Sequence, residues 1–402
     1  MASGDTQLDQ LINDPKWPTY GAAVIQVKSG EVVAKACAGP SISIHTRFRI
    51  ASISKFVAAM AFAKLAATGK LDLNQDVSDW LGFELRHPRF PNDPITLTHL
   101  LSHTSTLRDA TAYSMPMPHT VDEFFRPGAV WYEDGAHFGT EDFSPGQFFT
   151  YCNLNYGIAA SVLEKVTGRR FDLYMREAIF EPLGISPSYN VSLFTTEQIQ
   201  TLSPLFRLRD GVWQPQVDDH KGVVPAPLSI IENPDVHEKF VERFGDIRPK
   251  SDLENYELGT NGTLFSPQGG LRISAVELLV IMRHVSAAFQ AGEPWVAELI
   301  RPNWRSNDSG SNGDNFGGLM TDWGVGTHLF DRQLGWLEEP HPNFVGHLGE
   351  AYGLLSGLLF DPNSGDGLIY IIPGTSGSPE ENPGRKSAFS AWEEVIIEEW
   401  LP

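Results

Sequence analysis

The sequence predicts an α+β fold: an antiparallel sheet flanked by helices, built from both ends of the chain, with a mostly helical lobe inserted between them. Three observations carry this. Strand-type runs occur near the start and again near the end, the stretch between them is rich in Pro, polar loops and helical segments, and the chain closes on an amphipathic helical pattern. The implied division assigns residues 1–80 and 265–402 to the sheet domain and 81–264 to the lobe.

Each element has its own signal. YGAAVIQVKSGEVVAKACAG, residues 20–39, holds two β-rich runs joined at Ser29-Gly30 and reads as a hairpin. Ser52 to Thr68 reads as a helix closed by Gly69, and because it is apolar nearly all round it is expected to be buried. Tyr156 to Val166 and Phe171 to Ile179 are helical segments of the lobe. NFVGHLG, GLLSGLLFDP and GLIYIIPG are late strands, the last two separated by the turn residues NSGD, and SAFSAWEEVIIEEWL is the closing helix.

Composition excludes several functions. At 402 residues with 41% hydrophobic content the chain can form a sizeable core, and it has no uncharged apolar run of membrane-spanning length. A formal charge of -20 without any Lys/Arg-rich run repels phosphate backbones, so neither nucleic acid nor membrane is expected as a partner. The first residues lack an apolar signal region, which makes a cytoplasmic location the expectation, with the periplasm open should the start of the chain be altered. Cys37 and Cys152 are too few for a disulfide framework.

One residue in the buried helix asks for an explanation. Lys55 stands near its start, where the positive end of the helix dipole disfavours a cation, and Ser52 precedes it by three residues on the same face. Surrounded by Ala, Val, Phe and Met, Lys55 is expected to have a depressed pKa, and a neutral amine beside a hydroxyl is a base beside a nucleophile. Alone, Ser-x-x-Lys turns up on the order of once by chance in a chain of this composition. Taken by itself, the pair is better explained as a capping serine with a solvated lysine.

The surrounding motifs change that balance. TRFRIASISK is followed in order by GKLDLNQDVSDWL, ITLTHLLSHTSTL, SPGQFFTYCNLNYGIAASVLEKVTGRRFDLYMREAIFEPLGI, GGLRISAVELLVIM and GHLGEAYG. From about Tyr20 to Ile372 this series resembles the serine β-lactamase-like, penicillin-binding-protein family, which includes class C β-lactamases, D-alanyl-D-alanine carboxypeptidases, D-aminopeptidases and related esterases. The resemblance implies that Ser52, Lys55 and Tyr151 are catalytic. Tyr151 would be a phenol with a pKa lowered by a neighbouring ammonium, exchanging protons with serine and leaving group. Asn153, in Tyr-x-Asn, would hold the substrate acyl chain. Cys152 between them has no His adjacent in sequence and occupies a packing position of the family, so it is read as structural.

The third family element is His347-Leu348-Gly349 here, where carboxypeptidases and β-lactamases of the family carry Lys-Thr-Gly. A histidine is charged only part of the time near neutral pH and suits a free carboxylate less well than lysine does. Gly349 is expected to let substrate lie against its strand, and the backbone N–H groups of Ser52 and Glu350 to form the oxyanion hole. The Glu350 carboxylate would then have to point away from the developing charge. With these features the resemblance implies a serine hydrolase working through an acyl-enzyme, a peptidase or amidase on linear peptides containing D-residues. An esterase or transacylase on the same site, and a non-catalytic acyl-binding sensor, are the alternatives, and the intact Ser52, Lys55 and Tyr151 argue against the sensor.

The remaining candidates point elsewhere. His99 and His103 have i,i+4 spacing, yet no zincin pattern accompanies them and their segment matches a structural stretch of the family, so no metal is expected. No phosphate-cradling or dinucleotide fingerprint is present, so no cofactor is implied; the expected partner is a small peptide or ester substrate. SNDSGSNGDN, with Asp308 and Asp314, reads as a mobile surface loop near the cleft rim, and EEPHPN as a surface turn.

Overall fold

The structure, a computed structural model, describes residues 8, 14–225, 242–244, 253–338 and 343–402. Its strands are β1 (Ala22–Lys28), β2 (Glu31–Ala38), β3 (Arg47–Arg49), β4 (Leu205–Arg209), β5 (Val212–Val217), β6 (Arg272–Ser274), β7 (Trp304–Arg305), β8 (Asp322–Trp323), β9 (His328–Leu329), β10 (Val345–Ala351), β11 (Leu354–Phe360), β12 (Gly367–Ile372) and β13 (Gly374–Thr375). Eight of them form one sheet in the order β2-β1-β12-β11-β10-β9-β8-β7, so the N-terminal hairpin adds to the edge of the late strands, with Ala23 opposite Ile371. The first hairpin turns where expected: Ser29 and Gly30 take φ of 51° and 78°, the left-handed pair that matches the twist of its strands.

The period of two along the strands divides the core into layers. Ile25, Val27, Leu358, Phe360, Ile369 and Ile371 face the helix Ile53–Ala67 and the helix Ala275–Gln290. Val24, Leu359, Leu368, Tyr370 and Ile372 face the closing helix Ala391–Trp400, against Trp392, Ile396, Ile397 and Trp400. Each large side chain buried there contributes roughly 1.5–3 kcal/mol. The helix predicted over Ser52 to Thr68 runs Ile53–Ala67, with Gly69 at φ 70°, and nearly all of it is buried between the sheet and the rest of the chain.

Residues 81–264 carry helical segments, among them Leu154–Thr167, but are not helical throughout. β4 and β5 form a hairpin whose first strand pairs in parallel with β13, joining this stretch to the end of the sheet region. The signal for it was present in Asp210-Gly211, a turn pair at φ 50° and 74°; Pro215 and the charged residues on either side hid the strands. Residues 339–342 of the expected surface turn EEPHPN lie outside the described residues. Among the described residues no helix is long and apolar enough to cross a membrane.

Candidate active site

Ser52 immediately precedes the buried helix, and its backbone leaves a strained position: Ala51 takes φ 51°, a left-handed conformation uncommon for a residue with a side chain. One turn on, the fully buried Lys55 places Nζ 3.0 Å from Ser52 Oγ, 2.8 Å from Asn153 Oδ1 and 2.9 Å from the Gln268 carbonyl oxygen. Burial brings the Lys55 pKa down to about 7, against the opposing fields of Asp109 and Cys152, which favour the charged form. Ser52, Asn153 and the Gln268 carbonyl are thus the hydrogen-bond partners of the Lys55 amine among the described residues.

Tyr151 packs over this group, its ring centroid 4.7 Å from Lys55 Nζ, and its hydroxyl shares a hydrogen bond with Ser52. The expected lowering of its pKa is not found. Burial pushes the Tyr151 phenol well up, more than the Ser52 bond offsets, and the nearby carboxylates of Asp109 and Glu350 add to the rise. At rest the phenol is a neutral proton donor.

Asn153 has structural partners beside its expected role. Its Oδ1 accepts from Lys55 at 2.8 Å while Nδ2 donates to Asp109 Oδ2 at 2.8 Å, so the amide bridges two side chains and keeps one Nδ2 hydrogen and one Oδ1 lone pair for an acyl chain. Asp109, which sequence reading passed over, organises the whole segment. Its carboxylate accepts from the N–H groups of Asn153 (3.0 Å) and Leu154 (2.9 Å), capping the helix Leu154–Thr167, and from Cys152 Sγ at 3.5 Å. Gln268 was likewise missed, because it acts through its backbone carbonyl, which no residue type announces. Cys152 is fully buried with its thiol pushed well up by that burial, a packed residue.

His99 and His103 do not share a helical face. The helix containing His99 ends at Leu101, and His103 lies past it at φ 58°. His99 Nδ1 accepts from Thr96 N, closing a capping box. His103 stacks on the Tyr151 ring with centroids 4.3 Å apart, and its Nδ1 accepts from Cys152 N at 3.1 Å.

The free edge of β10 forms the opposite wall. β9 pairs with Val345 and Gly346 alone, so among the described residues that edge has no neighbouring strand from His347 onward. His347 is fully buried, and burial with the nearby Lys55 pushes its pKa well down, so the imidazole is neutral rather than partly charged. At Gly349 an added Cβ would stand 2.3 Å from Ser356 Oγ, 2.5 Å from the Ile50 carbonyl and 3.3 Å from Ser52 N. The glycine is thus required for the strand to approach the turn that carries Ser52. Gly349→Ala should displace that turn and lower kcat about tenfold or more while the protein stays folded, which steady-state kinetics with circular dichroism would check. Glu350 shares its strand face with Leu348, opposite to His347 and Gly349, so its carboxylate points away from the oxyanion position. It does not leave the cleft, however, and loss of water there, with smaller contributions from the charges of Glu380 and Glu393, pushes its pKa up to about 7.

The cleft, of about 560 Å³, runs over this edge from Ser52, Tyr151 and His347 to Leu355, Phe389 and Glu393. Phe316, Leu319 and Met320, just beyond SNDSGSNGDN, close one side. That loop is internally hydrogen-bonded, Asn307 Oδ1 accepting from Ser311 N at 2.9 Å, and Asp314 is tied to Thr150 Oγ1 at 3.1 Å.

The chain is similar to proteins with this architecture. A D-aminopeptidase of Cereibacter sphaeroides is 34% identical over 194 residues, covering 45% of this chain and 34% of that protein. Esterase EstB of Burkholderia gladioli is 27% identical over 254 residues, covering 57% of this chain and 62% of the esterase. The match to the D-aminopeptidase thus spans about a third of that relative's length. In structure, a D-stereospecific amidohydrolase from Streptomyces sp. superposes over 98% of this chain and 97% of its own, with a TM-score of 0.61 at 17% identity. The sequence pattern described as Beta-lactamase matches residues 8–391, nearly the whole length, and the chain belongs to that family.

Proposed function

We propose that the protein is a serine hydrolase that forms an acyl-enzyme on Ser52 and cleaves amide bonds in linear peptides containing D-residues. The observation that carries the chemistry is the set of Lys55 contacts. Asn153 Oδ1 and the Gln268 carbonyl can only accept, so a neutral amine spends both N–H groups on them and turns its lone pair to Ser52 Oγ. Ser52 O–H is then the donor, and its proton passes to Lys55 as Oγ attacks the carbonyl carbon. The N–H groups of Ser52 and Glu350 receive the oxyanion. Tyr151 gives its proton to the leaving nitrogen and regains one from the Lys55 ammonium. Water then attacks the acyl-enzyme by the same relay in reverse.

The substrate class draws on similarity to a D-aminopeptidase and a D-stereospecific amidohydrolase and on the His-x-Gly element. The chain also resembles, in length and opening segment, the linear-microcystin peptidase of bacterial toxin degradation. That resemblance makes linearised microcystin, cut after D-Ala, the specific candidate. Similarity to EstB supports a second reading, an esterase or transacylase on the same residues, and faster turnover of p-nitrophenyl esters than of D-alanyl amides would favour it.

Mass spectrometry of linear D-residue peptides incubated with the protein and with Ser52→Ala tests the proposal. Cleavage following a D-residue should occur with the first and vanish with the second. A fluorophosphonate probe should label the peptide containing Ser52; label on Cys152, or on no serine, overturns the assignment.

A further inference from the structure

The walls of the cleft present acceptors and carboxylates with no cation to balance them. Glu350, Glu380 and Glu393 all line it, whereas no Lys or Arg among the described residues does. Glu393 is engaged, accepting from Tyr370 Oη at 2.8 Å and from Ser390 Oγ at 2.7 Å. Glu350 and Glu380 have no hydrogen-bond or ion-pair partner among the described residues. Arg207, which is not part of the lining, offsets the mutual repulsion only in part.

A second observation comes from the inner end. His347 is 1% exposed, lines the cleft, and its Nε2 has no hydrogen-bond partner among the described residues. Its Nδ1 faces the Leu348 carbonyl and must carry the proton there, which leaves Nε2 as a bare acceptor. A buried acceptor without a donor is destabilising until a ligand N–H fills it. From His347 to Glu380 the cleft therefore offers sites for donors and for positive charge, between apolar surfaces of Phe316, Met320, Leu355 and Phe389.

We propose that the cleft selects substrates bearing a cationic N–H donor, an ammonium or guanidinium, which lies against Glu350 and Glu380, and that it disfavours a free carboxylate there. This deepens the hydrolase reading and rests on it for the attacked bond. A cation beside carboxylates that share one cleft offsets their repulsion and gains charge-assisted hydrogen bonds, whereas an added carboxylate increases the repulsion.

Two triplets of D-alanyl amides test this, each varying the charge of one end only. On the acyl side they are D-alanyl-, N-acetyl-D-alanyl- and N-succinyl-D-alanyl-p-nitroanilide; on the leaving side, N-acetyl-D-alanyl amides of agmatine, butylamine and 4-aminobutyrate. In at least one triplet the cationic member should exceed the neutral one in kcat/KM by about tenfold, with the carboxylate slowest. Glu350→Gln and Glu380→Gln, checked for folding by circular dichroism, should each bring the cation-to-neutral ratio towards one. Calorimetric binding of the same amides to Ser52→Ala should follow the same order without turnover. If no amide is cleaved but this binding order holds, the hydrolase reading falls and the charge selectivity stands. If neutral amides are cleaved and both triplets are flat or favour the carboxylate, the selectivity is wrong and the hydrolase reading stands.

Discussion

Lys55→Arg is expected to be nearly as inactive as Lys55→Ala, with kcat/KM lowered by about 10³-fold, the range of a lost general base. Arginine keeps the cation and most of the reach but cannot give up its proton in a protein, so the lone pair facing Ser52 Oγ is absent. In the unaltered protein kcat/KM should rise with pH through an acidic limb at about 7, because the neutral amine is the active form and burial has brought Lys55 down to that value. The sign is fixed: below the limb the amine is protonated and has no lone pair for the serine. The limb belongs to Ser52, Lys55 and Tyr151 as a coupled unit. Glu350 titrates in the same region, so Glu350→Gln is the control and should leave the limb in place. His103 and His347 are held neutral well below it. His347→Asn should therefore weaken substrate positioning and keep part of the rate. If Lys55→Arg retains most of the rate, or His347→Asn proves the more damaging change, a histidine-based mechanism replaces this one.

The second large effect is expected at Asp109. Its carboxylate caps the helix Leu154–Thr167, holds Asn153 and favours the charged form of Lys55. Asp109→Asn sets an NH₂ group against backbone N–H donors, and the lost cap and misdirected bonds should lower unfolding free energy by about 2–4 kcal/mol in urea titration. The acidic limb should also move to lower pH, since removing a negative charge near an amine makes its proton easier to lose. The rate should fall with the loosened Asn153. An unchanged limb together with unchanged stability would show that Asp109 does not hold this site.

How far the sequence reaches is visible in these residues. Ser52 and Lys55 were legible because a helix turn fixes their relation locally: three positions apart, side-chain ends in contact, at 3.0 Å. Tyr151, Cys152 and Asn153 were legible as a motif, but the Tyr151 pKa direction and the Asn153 bridge were not. Both depend on Asp109, forty-odd positions away, and on how much water the fold excludes. The same holds for Glu350. Strand alternation tells which face it takes, but not that Glu380 and Glu393 from the C-terminal segment share its cleft.

By itself the sequence determined the α+β pattern, the N-terminal hairpin at Ser29-Gly30, the buried helix closed by Gly69, and the late strands with their terminal helix. Each follows from local periodicity, turn chemistry or helix capping, which act over a few residues. Tertiary structure alone decided three things: that β4 and β5 join β13, that Gly349 serves the approach of β10 to the Ser52 turn, and that the Gln268 carbonyl and Asp109 complete the lysine's surroundings. The physical reason is common to all three. Contacts between residues distant in the chain, and pKa values set by burial, depend on which surfaces meet, and that is specified only when the whole core packs.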